Sequence, residues 1–529
     1  MIEWWRDAVV YQIYPRSFAD RNGDGEGDLP GLIDRLPYLS ELGVDAVWLS
    51  PFYPSPMRDG GYDISDYFDI DPRFGTLEDF DLLVTQARKQ DIRIIIDIVP
   101  NHCSDQHPWF RAALSAPIGS PLRDRFIFRD TVNNWRSHFG GSAWTRTPDG
   151  QYYLHLFDST QPDFNWGNDE VVQLFERYLR FWLDRGVAAV RIDMANTLFK
   201  MPGLPDAEDG SAGQPYYDQP ELHELYRTWR EILDSYPADI FPGRRGAVAE
   251  IWFDDPAMVR PYLAPDELPQ VFNFRLMRVS WTAQDLRQVI DEGRELAGAT
   301  GGSLPWALGN HDVTRLVSRL GLPQRPGEDP TQAIRLGARH TDIALGTRRA
   351  RSAALLLLAL PGSVYLYQGD ELGLPEHLDL PPDRREDPTY HRTEGVDIGR
   401  DGCRIPLPWS GAAAPYGFTA PTATTWLPQP SDWAELTVDN QSTRSDSMLA
   451  LYRSALRIRH EHPALGEGAL NWLELGPQVL AFTREPGFTF VGNLGAQPVP
   501  LPEGRVLLST TPLDDGLLPG DTAAWLHRG

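Results

Sequence analysis

The sequence is poor in cysteine and has no long apolar stretch. Its two cysteines, Cys103 and Cys403, do not indicate a disulfide framework, and reduced thiols in a cytoplasmic protein fit best. The longest apolar run, Ala353 to Leu360, ends at a proline and is too short to span a bilayer. The first residues, MIEWWRDA, lack the basic start and apolar stretch of a signal peptide. We therefore expect a cytoplasmic protein that does not bind membranes.

Basic residues are also scarce. Lys and Arg total 49 against 74 Asp and Glu, which gives a formal net charge of −25. This excess of acid argues against a nucleic-acid partner and favours a small neutral or cationic ligand. The 529 residues suffice for a large barrel with one or two smaller units. We expect a monomer or a small homo-oligomer.

The segment AVRIDM at 189 to 194 carries the first sign of chemistry. The apolar run from Val187 to Val190 predicts a short buried strand, which ends in Arg191 and Asp193. Alternation along a strand puts these two charges on the same face. Buried charges are tolerated only when they pair with each other or with a ligand. Taken alone, the pair is equally well explained as a structural ion pair.

Three other predicted strands end in the same way. They lie at 93 to 102, 246 to 252 and 304 to 312, and their polar ends are Asp97, Asn101 and His102; Glu250; and Asn310, His311 and Asp312. Short apolar strands that each end in acid, histidine or arginine are what a (β/α)8 barrel uses to build an active site. The sequence therefore predicts an α/β fold with a barrel of this type.

These four segments resemble the four sequence regions of the α-amylase superfamily, glycoside hydrolase family 13. Further matches are GVDAVWLSP at 43 to 51, QPDFNW at 161 to 166 and GSVYLYQGDELG at 362 to 373. The opening WWRDAVVYQIYPRSF and the segment GRDGCRIPLPW at 399 to 409 resemble the oligo-1,6-glucosidase and α-glucosidase branch, especially its actinobacterial-type α-glucosidases. The resemblance implies an exo-acting, retaining α-glucosidase that releases glucose from short α-glucosides, with some transglucosylation.

The predicted organisation has three parts. Residues 1–102 and 169–462 would form the TIM barrel. Residues 103–168, rich in Trp, Phe, Gly and Pro without helical periodicity, are too long for a plain loop and predict an inserted subdomain after strand 3, domain B. Short apolar runs from residue 463 predict a C-terminal antiparallel β-sandwich domain at 463–529.

Retaining cleavage of a glycosidic bond needs a carboxylate nucleophile and a carboxylic acid about 5–5.5 Å apart. Asp193 is the candidate nucleophile, and we expect Arg191 to lower its pKa and keep it ionised. Glu250 is the candidate acid/base and must be protonated before attack. Asp312 would hold sugar hydroxyls and favour the distorted ring of the transition state. Asp97 would orient Arg191 from behind.

The resemblance also implies a set of substrate-binding residues. Tyr62 would be a stacking platform, and Asp63 would hold hydroxyls of the terminal glucose. Hydroxyl donors would be His102 and His311, and Arg400 would pair with Asp63 or Asp312. The predicted pocket-facing aromatics of the insertion are Phe157, Phe164 and Trp166. Met194, next to the nucleophile, would border the acceptor subsite.

The segment DRNGDGEGD at 20 to 28 alternates acids and amides with glycines, as oxygen-ligand cation loops do. An acidic, glycine-rich turn explains the same pattern. The resemblance favours a structural Ca²⁺ or Mg²⁺ held by Asp20, Asn22, Asp24 and Asp28, with the main chain of Glu26 assisting. No organic cofactor is implied.

Three alternatives remain open at this point. The chain could be an oligo-1,6-glucosidase, or a glucosyl transferase or isomerase resembling trehalose synthase or sucrose isomerase. The segment VTRLVSRLG at 313 to 321 does not match the loop of sucrose isomerases. A non-catalytic sugar-binding subunit is disfavoured because all three candidate carboxylates are present. At the position of Met194, valine accompanies α-1,6 preference in related enzymes, so we expect α-1,4 or sucrose-like substrates over isomaltose.

Overall fold

The computed structural model describes residues 3–208, 214–237, 243–253, 255–324, 329–331, 334–337 and 340–528. The ends of two predicted domains, residues 1, 2 and 529, lie outside these ranges. The strands are β1 (Val9–Ile13), β2 (Ala46–Leu49), β3 (Arg93–Ile98), β4 (Phe128–Arg129), β5 (Trp144–Arg146), β6 (Tyr152–Leu154), β7 (Ala189–Ile192), β8 (Gly246–Ala249), β9 (Gln270–Val271), β10 (Trp306–Ala307), β11 (Val364–Tyr367), β12 (Asn471–Leu473), β13 (Val479–Arg484), β14 (Phe488–Asn493), β15 (Val499–Pro500), β16 (Arg505–Ser509), β17 (Leu517–Leu518) and β18 (Thr522–His527).

The helices connect these strands and cover the barrel. They are α1 (Leu29–Leu42), α2 (Leu77–Lys89), α3 (Pro108–Ser115), α4 (Asp169–Asp184), α5 (Glu221–Asp234), α6 (Arg275–Arg278), α7 (Ala283–Thr300), α8 (Leu316–Leu320), α9 (Ile343–Ala359), α10 (Pro388–Arg392), α11 (Val438–Ser442) and α12 (Met448–Glu461). The described residues contain no helix that is long and apolar enough to cross a membrane.

Eight parallel strands form the central sheet, in the order β10-β11-β1-β2-β3-β7-β8-β9. Bridges from Gln270 to Ser303 and from Asn273 to Trp306 join its two ends and close it into a barrel. The barrel strands are buried along nearly their whole length, as expected when helices cover a parallel sheet. The predicted fold class is confirmed. Because all eight strands run in the same direction, the polar residues at their carboxyl ends meet at one rim.

The inserted segment after β3 forms a small sheet of its own, in the order β4-β6-β5. Its core is a cluster of two tryptophans and small apolar residues, Trp135, Ala143, Trp144, Leu154 and Leu156. A bridge between His102 and Asp163 returns the chain to the end of β3. The insertion is therefore fixed to the rim of the barrel at both of its ends.

The C-terminal part folds into an antiparallel sheet in the order β12-β13-β14-β18-β16, with a two-stranded sheet of β15 and β17 beside it. It packs on α9, where the indole of Trp525 donates to the Leu355 carbonyl at 3.1 Å. This contact explains why α9 is apolar over much of its surface, since it is covered by the barrel on one side and by the C-terminal sheet on the other. The boundaries of the three domains remain predictions.

Candidate active site

The guanidinium of Arg191 lies at the centre of the site and is 1% exposed. It contacts three carboxylates: Asp97 at 2.8 Å, Asp193 at 2.8 Å and Glu250 at 2.6 Å. Nη1 bonds Asp97 and Asp193, and Nη2 bonds Glu250. One planar cation therefore holds the two predicted catalytic carboxyl groups beside each other.

Strand register produces this arrangement. Asp97 in β3 lies opposite Arg191 in β7. The parallel ladder continues one residue past the strand ends, because the amide of Asp193 donates to the Ile98 carbonyl and that of Glu250 to the Ile192 carbonyl, both at 2.9 Å. Both carboxylates thus extend from backbone that is still held in the barrel.

The pKa of Asp193 differs from the sequence-based expectation. Burial raises it well above the ordinary value, and the charges of Glu250, Asp97 and Asp312 add to this rise, while Arg191 opposes it. The arginine does lower the pKa, as predicted, but burial and three neighbouring carboxylates outweigh it. Burial thus favours a proton on Asp193, whereas attack on the anomeric carbon requires this carboxylate to be ionised.

Asp312, the third carboxylate, is held in its ionised form. Burial alone would raise its pKa, but His311, which lies within hydrogen-bond distance, and the cations Arg400 and Arg404 outweigh burial and keep the pKa below its ordinary value. Arg400 and Arg404 contact Asp312 at 3.0 and 3.1 Å, and His311 Nε2 lies 3.2 Å from it. This side of the pocket therefore presents a fixed negative charge.

His311 is positioned from two sides. The amide nitrogen of Gln12 lies 2.6 Å from Nδ1, and the ring of Tyr62 stacks on the imidazole with a centroid distance of 5.2 Å and an interplanar angle of 4°. Burial lowers the pKa of His311 well below its ordinary value, so the ring is neutral. Tyr62 lines the pocket, and its hydroxyl donates to Asp97 at 2.8 Å.

Asp59, rather than Asp63, contributes the carboxylate of this loop to the pocket. Asp63 is fully buried and accepts hydrogen bonds from the Ser55 hydroxyl at 2.8 Å and from the amides of Arg58 and Asp59 at 3.1 and 3.2 Å. Its oxygens are therefore used within the loop, and Asp63 does not line the pocket. The expected role of Asp63 and its pairing with Arg400 are corrected accordingly.

Arg400 forms the wall of the pocket between two acidic residues. It contacts Asp59 at 2.6 Å and Asp312 at 3.0 Å, and Asp387 fixes it from behind at 2.5 Å. Asp387 lies in the long excursion after β11, whose sequence showed no signal for this role. Arg400 itself lines the pocket, and its contact with Asp312 is one of the two expected pairings.

His102 lines the pocket opposite this wall. Burial lowers its pKa to about 4, so it is neutral at pH 7. The amide nitrogen of Gln161 lies 3.1 Å from His102 Nε2 and donates to Asp59 at 2.9 Å. Gln161 belongs to the QPDFNW segment, and it joins the insertion to both walls. Its place in that segment was the available signal, which sequence reasoning did not use.

The aromatic residues of the insertion fall into two groups, those that line the pocket and those that are buried in the core. Phe157 lines the pocket, with its ring 4.8 Å from that of His102. Phe164 is fully buried and packs on Phe126 and Phe175, so it does not face the pocket. Trp166 is also buried, and its indole donates to the Pro100 carbonyl at 2.9 Å. The aromatic side of the pocket that the insertion contributes is thus built by Phe157, together with His138 and Phe139.

The pocket has a volume of about 430 Å³, within the usual range for small-molecule sites. Seven further lining residues are grouped here as the outer part of the pocket: Met194, Trp252, Val313, Arg278, Asp329, Thr331 and Arg335. Two ion pairs lie here, Arg278 with Asp329 and Arg335 with Asp397, each at 2.8 Å. Met194 has a left-handed backbone with φ of 44° and lines the pocket.

The glycine-rich loop at 20 to 28 is closed by its own side chains. Both oxygens of Asp20 accept backbone amides, from Gly23 and Gly25 at 2.7 Å. Asn22 and Asp24 accept the amides two residues on, each at 2.9 Å. Asp28 caps α1 by accepting the Gly31 amide at 2.6 Å. The side chain of Glu26 forms an ion pair with Arg16. Only the main chain of Glu26 is therefore left to contribute to the loop.

The donor chemistry of this loop, with three carboxylates and one amide oxygen, fits a hard cation such as Ca²⁺. Within the described residues, however, no group of three or more His, Cys, Asp or Glu side chains could hold a metal ion. A cation here would depend on Asn22 and on main-chain oxygens as well as carboxylates, so it remains a prediction.

A closed (β/α)8 barrel with this set of carboxylates at the carboxyl ends of its strands defines a glycoside hydrolase. The alpha-amylase catalytic domain family matches residues 12–468. The chain belongs to this family, glycoside hydrolase family 13.

Known proteins resemble the chain over nearly its whole length. A probable alpha-glucosidase of Rhizobium meliloti (strain 1021) is 37% identical over 522 residues, which cover 92% of this chain and 88% of that protein. An oligo-1,6-glucosidase of Parageobacillus thermoglucosidasius is 36% identical over 529 residues, with the same coverage of 92% and 88%. The solved structure of an alpha-glucosyl transfer enzyme, XgtA, matches with a TM-score of 0.85 and 37% identity and covers 100% of both chains.

Proposed function

We propose that this enzyme is an exo-acting, retaining α-glucosidase that releases glucose from the non-reducing end of short α-glucosides. The observation that carries the proposal is the Arg191 guanidinium, which holds Asp193 and Glu250 at 2.8 and 2.6 Å. Carboxyl groups bound to neighbouring nitrogens of one guanidinium are close enough for the retaining route, which needs about 5–5.5 Å between them.

In the first step, Asp193 attacks the anomeric carbon of the bound glucose. Glu250 gives its proton to the glycosidic oxygen, the bond from carbon to that oxygen breaks, and the leaving sugar departs as a neutral alcohol. Asp193 is then joined to glucose as an ester. In the second step, Glu250 takes a proton from water, and the resulting hydroxide displaces Asp193 with a second inversion.

The wall of Asp59, Arg400 and Asp312 supports exo action. This chain of ion pairs, at 2.6 and 3.0 Å, forms one side of the pocket, where it would obstruct the passage of a polymer. His102, His311 and Tyr62 would complete the shell around one glucose ring. Asp59, Asp312 and the two neutral histidines would select its hydroxyls by hydrogen bonding.

Incubation with maltose, isomaltose, sucrose and trehalose, with the first product anomer identified by NMR, tests the proposal. We expect early release of α-glucose, little activity on starch, and products from maltose or sucrose before isomaltose. Early release of β-glucose, or of mid-length fragments from amylose, would contradict it.

Transfer of glucose to a second sugar is the second candidate activity. It is supported by the outer pocket, where hydroxyls and ion-paired side chains can bind an acceptor beside the glucosyl ester, and by the similarity to the glucosyl transfer enzyme. A rising share of oligosaccharide products at high maltose concentration would identify transfer. Isomerase activity would instead convert sucrose or maltose into an isomer without net release of glucose.

We also propose a structural cation, a cytoplasmic location and the kind of partner for this protein. Asp20, Asn22, Asp24, Asp28 and the Glu26 main chain would bind Ca²⁺ or Mg²⁺ as a structural ion. Both cysteines are buried and free, which suits a reduced cytoplasmic protein. The partners would be small α-glucosides and not nucleic acid or membranes, for a monomer or a small homo-oligomer.

A further inference from the structure

Trp252 forms a hydrogen bond with the carboxyl group of Glu250, and this contact has no role in the two reaction steps described above. Its indole N–H donates to Glu250 Oε1 at 2.8 Å. Trp252 lies two residues after Glu250, lines the pocket, and packs on Phe274 with a centroid distance of 4.6 Å. The indole is thus fixed by its neighbours and reaches one oxygen of the carboxyl group.

The two oxygens of Glu250 have different surroundings. Oε2 accepts from Arg191 Nη2 at 2.6 Å and from the Met194 amide at 3.1 Å. A carboxyl oxygen that accepts two such donors, one of them a cation, is a poor position for a proton. Oε1 has the Trp252 indole as its hydrogen-bond donor. The acidic proton of Glu250 therefore belongs on Oε1, the oxygen that Trp252 contacts.

We propose that Trp252 is a positioning residue for acid catalysis, and that it stabilises the carboxylate which forms on Glu250 as the leaving sugar departs. This inference rests on the proposed hydrolysis of α-glucosides. When Oε1 passes its proton to the glycosidic oxygen and the bond to the anomeric carbon breaks, the negative charge left on Glu250 meets an N–H that is already in place. A neutral N–H bonds a carboxylate more strongly than a carboxylic acid, so the contact strengthens during the step.

The effect depends on how much the leaving group needs a proton. A sugar leaving from maltose needs acid assistance, so the loss of the N–H slows its departure. The nitrophenolate of p-nitrophenyl α-glucoside is stable as an anion and leaves with little help from Glu250. Trp252 should therefore matter for the first substrate and hardly for the second.

The experiment compares the wild type with Trp252→Phe and Trp252→Tyr, both of which keep an aromatic ring and lack the indole N–H. Trp472→Phe is the matched control, because the Trp472 indole donates to the Asp291 carboxylate at the same 2.8 Å, away from the pocket. We expect kcat/KM on maltose to fall roughly tenfold to a hundredfold in both Trp252 variants, the range of a hydrogen bond to a charged group. On the nitrophenyl glucoside we expect less than about a threefold change.

The pH profile supplies a second measurement. Loss of an N–H that favours the ionised carboxyl group should move the alkaline limb of kcat/KM on maltose upwards in the Trp252 variants and leave it in place in Trp472→Phe. Equal losses on both substrates, with an unmoved alkaline limb, would overturn the inference and leave Trp252 as a packing residue. A wild type that hydrolyses neither substrate would instead overturn the proposed function.

Discussion

The inner and outer halves of the pocket are built on different principles. In the inner half, two buried arginines each bind several carboxylates: Arg191 bonds three, and Arg400 bonds three others. In the outer half, the flexible apolar side chain of Met194 lines the pocket, and the charged residues form separate pairs such as Arg278 with Asp329.

This difference assigns separate tasks to the two halves. A buried network in which each charge depends on several others fails when any member is removed, because the remaining charges lose their partners. Single pairs and apolar contacts at the outer half can change one at a time. We therefore expect inner substitutions to abolish turnover and outer substitutions to shift the choice of substrate.

The largest effect should come from Asp193→Asn or Glu250→Gln. Either change removes a covalent or a proton-transfer step, and we expect kcat on maltose to fall at least about ten-thousandfold. Circular dichroism and melting temperature should stay near those of the wild type, since amides are isosteric with the carboxyls. Substantial turnover of maltose by Asp193→Asn would show that another residue is the nucleophile.

A smaller but sharper comparison uses two acids of the same loop. Asp59→Ala removes the partner that Arg400 contacts at 2.6 Å, and we expect kcat/KM to fall roughly a hundredfold as a buried charge loses its partner. Asp63→Ala leaves the amides of Arg58 and Asp59 without their acceptor. We expect it to lower the free energy of unfolding by about 1–3 kcal/mol.

The measurements are steady-state kinetics and urea unfolding on both variants. Asp63→Ala should keep kcat/KM within about tenfold of the wild type, because its effect on the pocket passes only through the position of Asp59. If Asp63→Ala lost more activity than Asp59→Ala, the assignment of the pocket carboxylate would have to be reversed.

At the outer half, Met194→Val should change the linkage preference. Valine is stiff where methionine is flexible, and we expect the ratio of kcat/KM on isomaltose to that on maltose to rise about threefold to tenfold. The left-handed φ of 44° disfavours a β-branched residue, so stability should fall by about 1 kcal/mol. Met194→Leu, which is not β-branched, is the control. A wild type that already favours isomaltose would contradict this prediction.

The smallest effect on catalysis is expected outside the pocket. A chelator that removes the cation proposed for Asp20, Asn22, Asp24 and Asp28 should lower the melting temperature by a few degrees, since a ligand bound to the folded state stabilises it by mass action. The initial rate at low temperature should stay unchanged. Elemental analysis that finds no metal, together with an unchanged melting temperature, would remove the cation from the proposal.

Sequence reasoning predicted the parts of the site that lie on regular elements. The four predicted apolar strands correspond to β3, β7, β8 and β10, because buried apolar runs indicate such strands locally. Asp193 and Glu250 could be predicted as candidate site residues because a charged residue at the end of an apolar run is unusual. The alternation that places Arg191 and Asp193 on one face applies equally to Glu250 and Trp252, whose indole contacts the Glu250 carboxyl group.

The rest depended on long-range contacts that no local pattern contains. Asp59 and Asp63 lie four residues apart in a loop without periodicity, and only the position of Arg400 separates their roles. Phe164 carries the same signal as Phe157, yet its surroundings bury it. The short helices α6, α8, α10 and α11 have four or five residues each, too few to show a helical period.

The contacts that close the pocket also have a consequence for the order of folding. Arg400 and Asp59 are 341 residues apart in sequence, and Gln12 and His311 are 299 apart. Contacts between such distant residues are formed slowly, because the entropy of closing a long loop is lost before they can stabilise the chain. During synthesis, a chain that ends before Arg400 has its catalytic carboxylates but lacks one wall of the pocket. The ability to hold glucose is thus acquired last, after the barrel strands that carry the chemistry have been made.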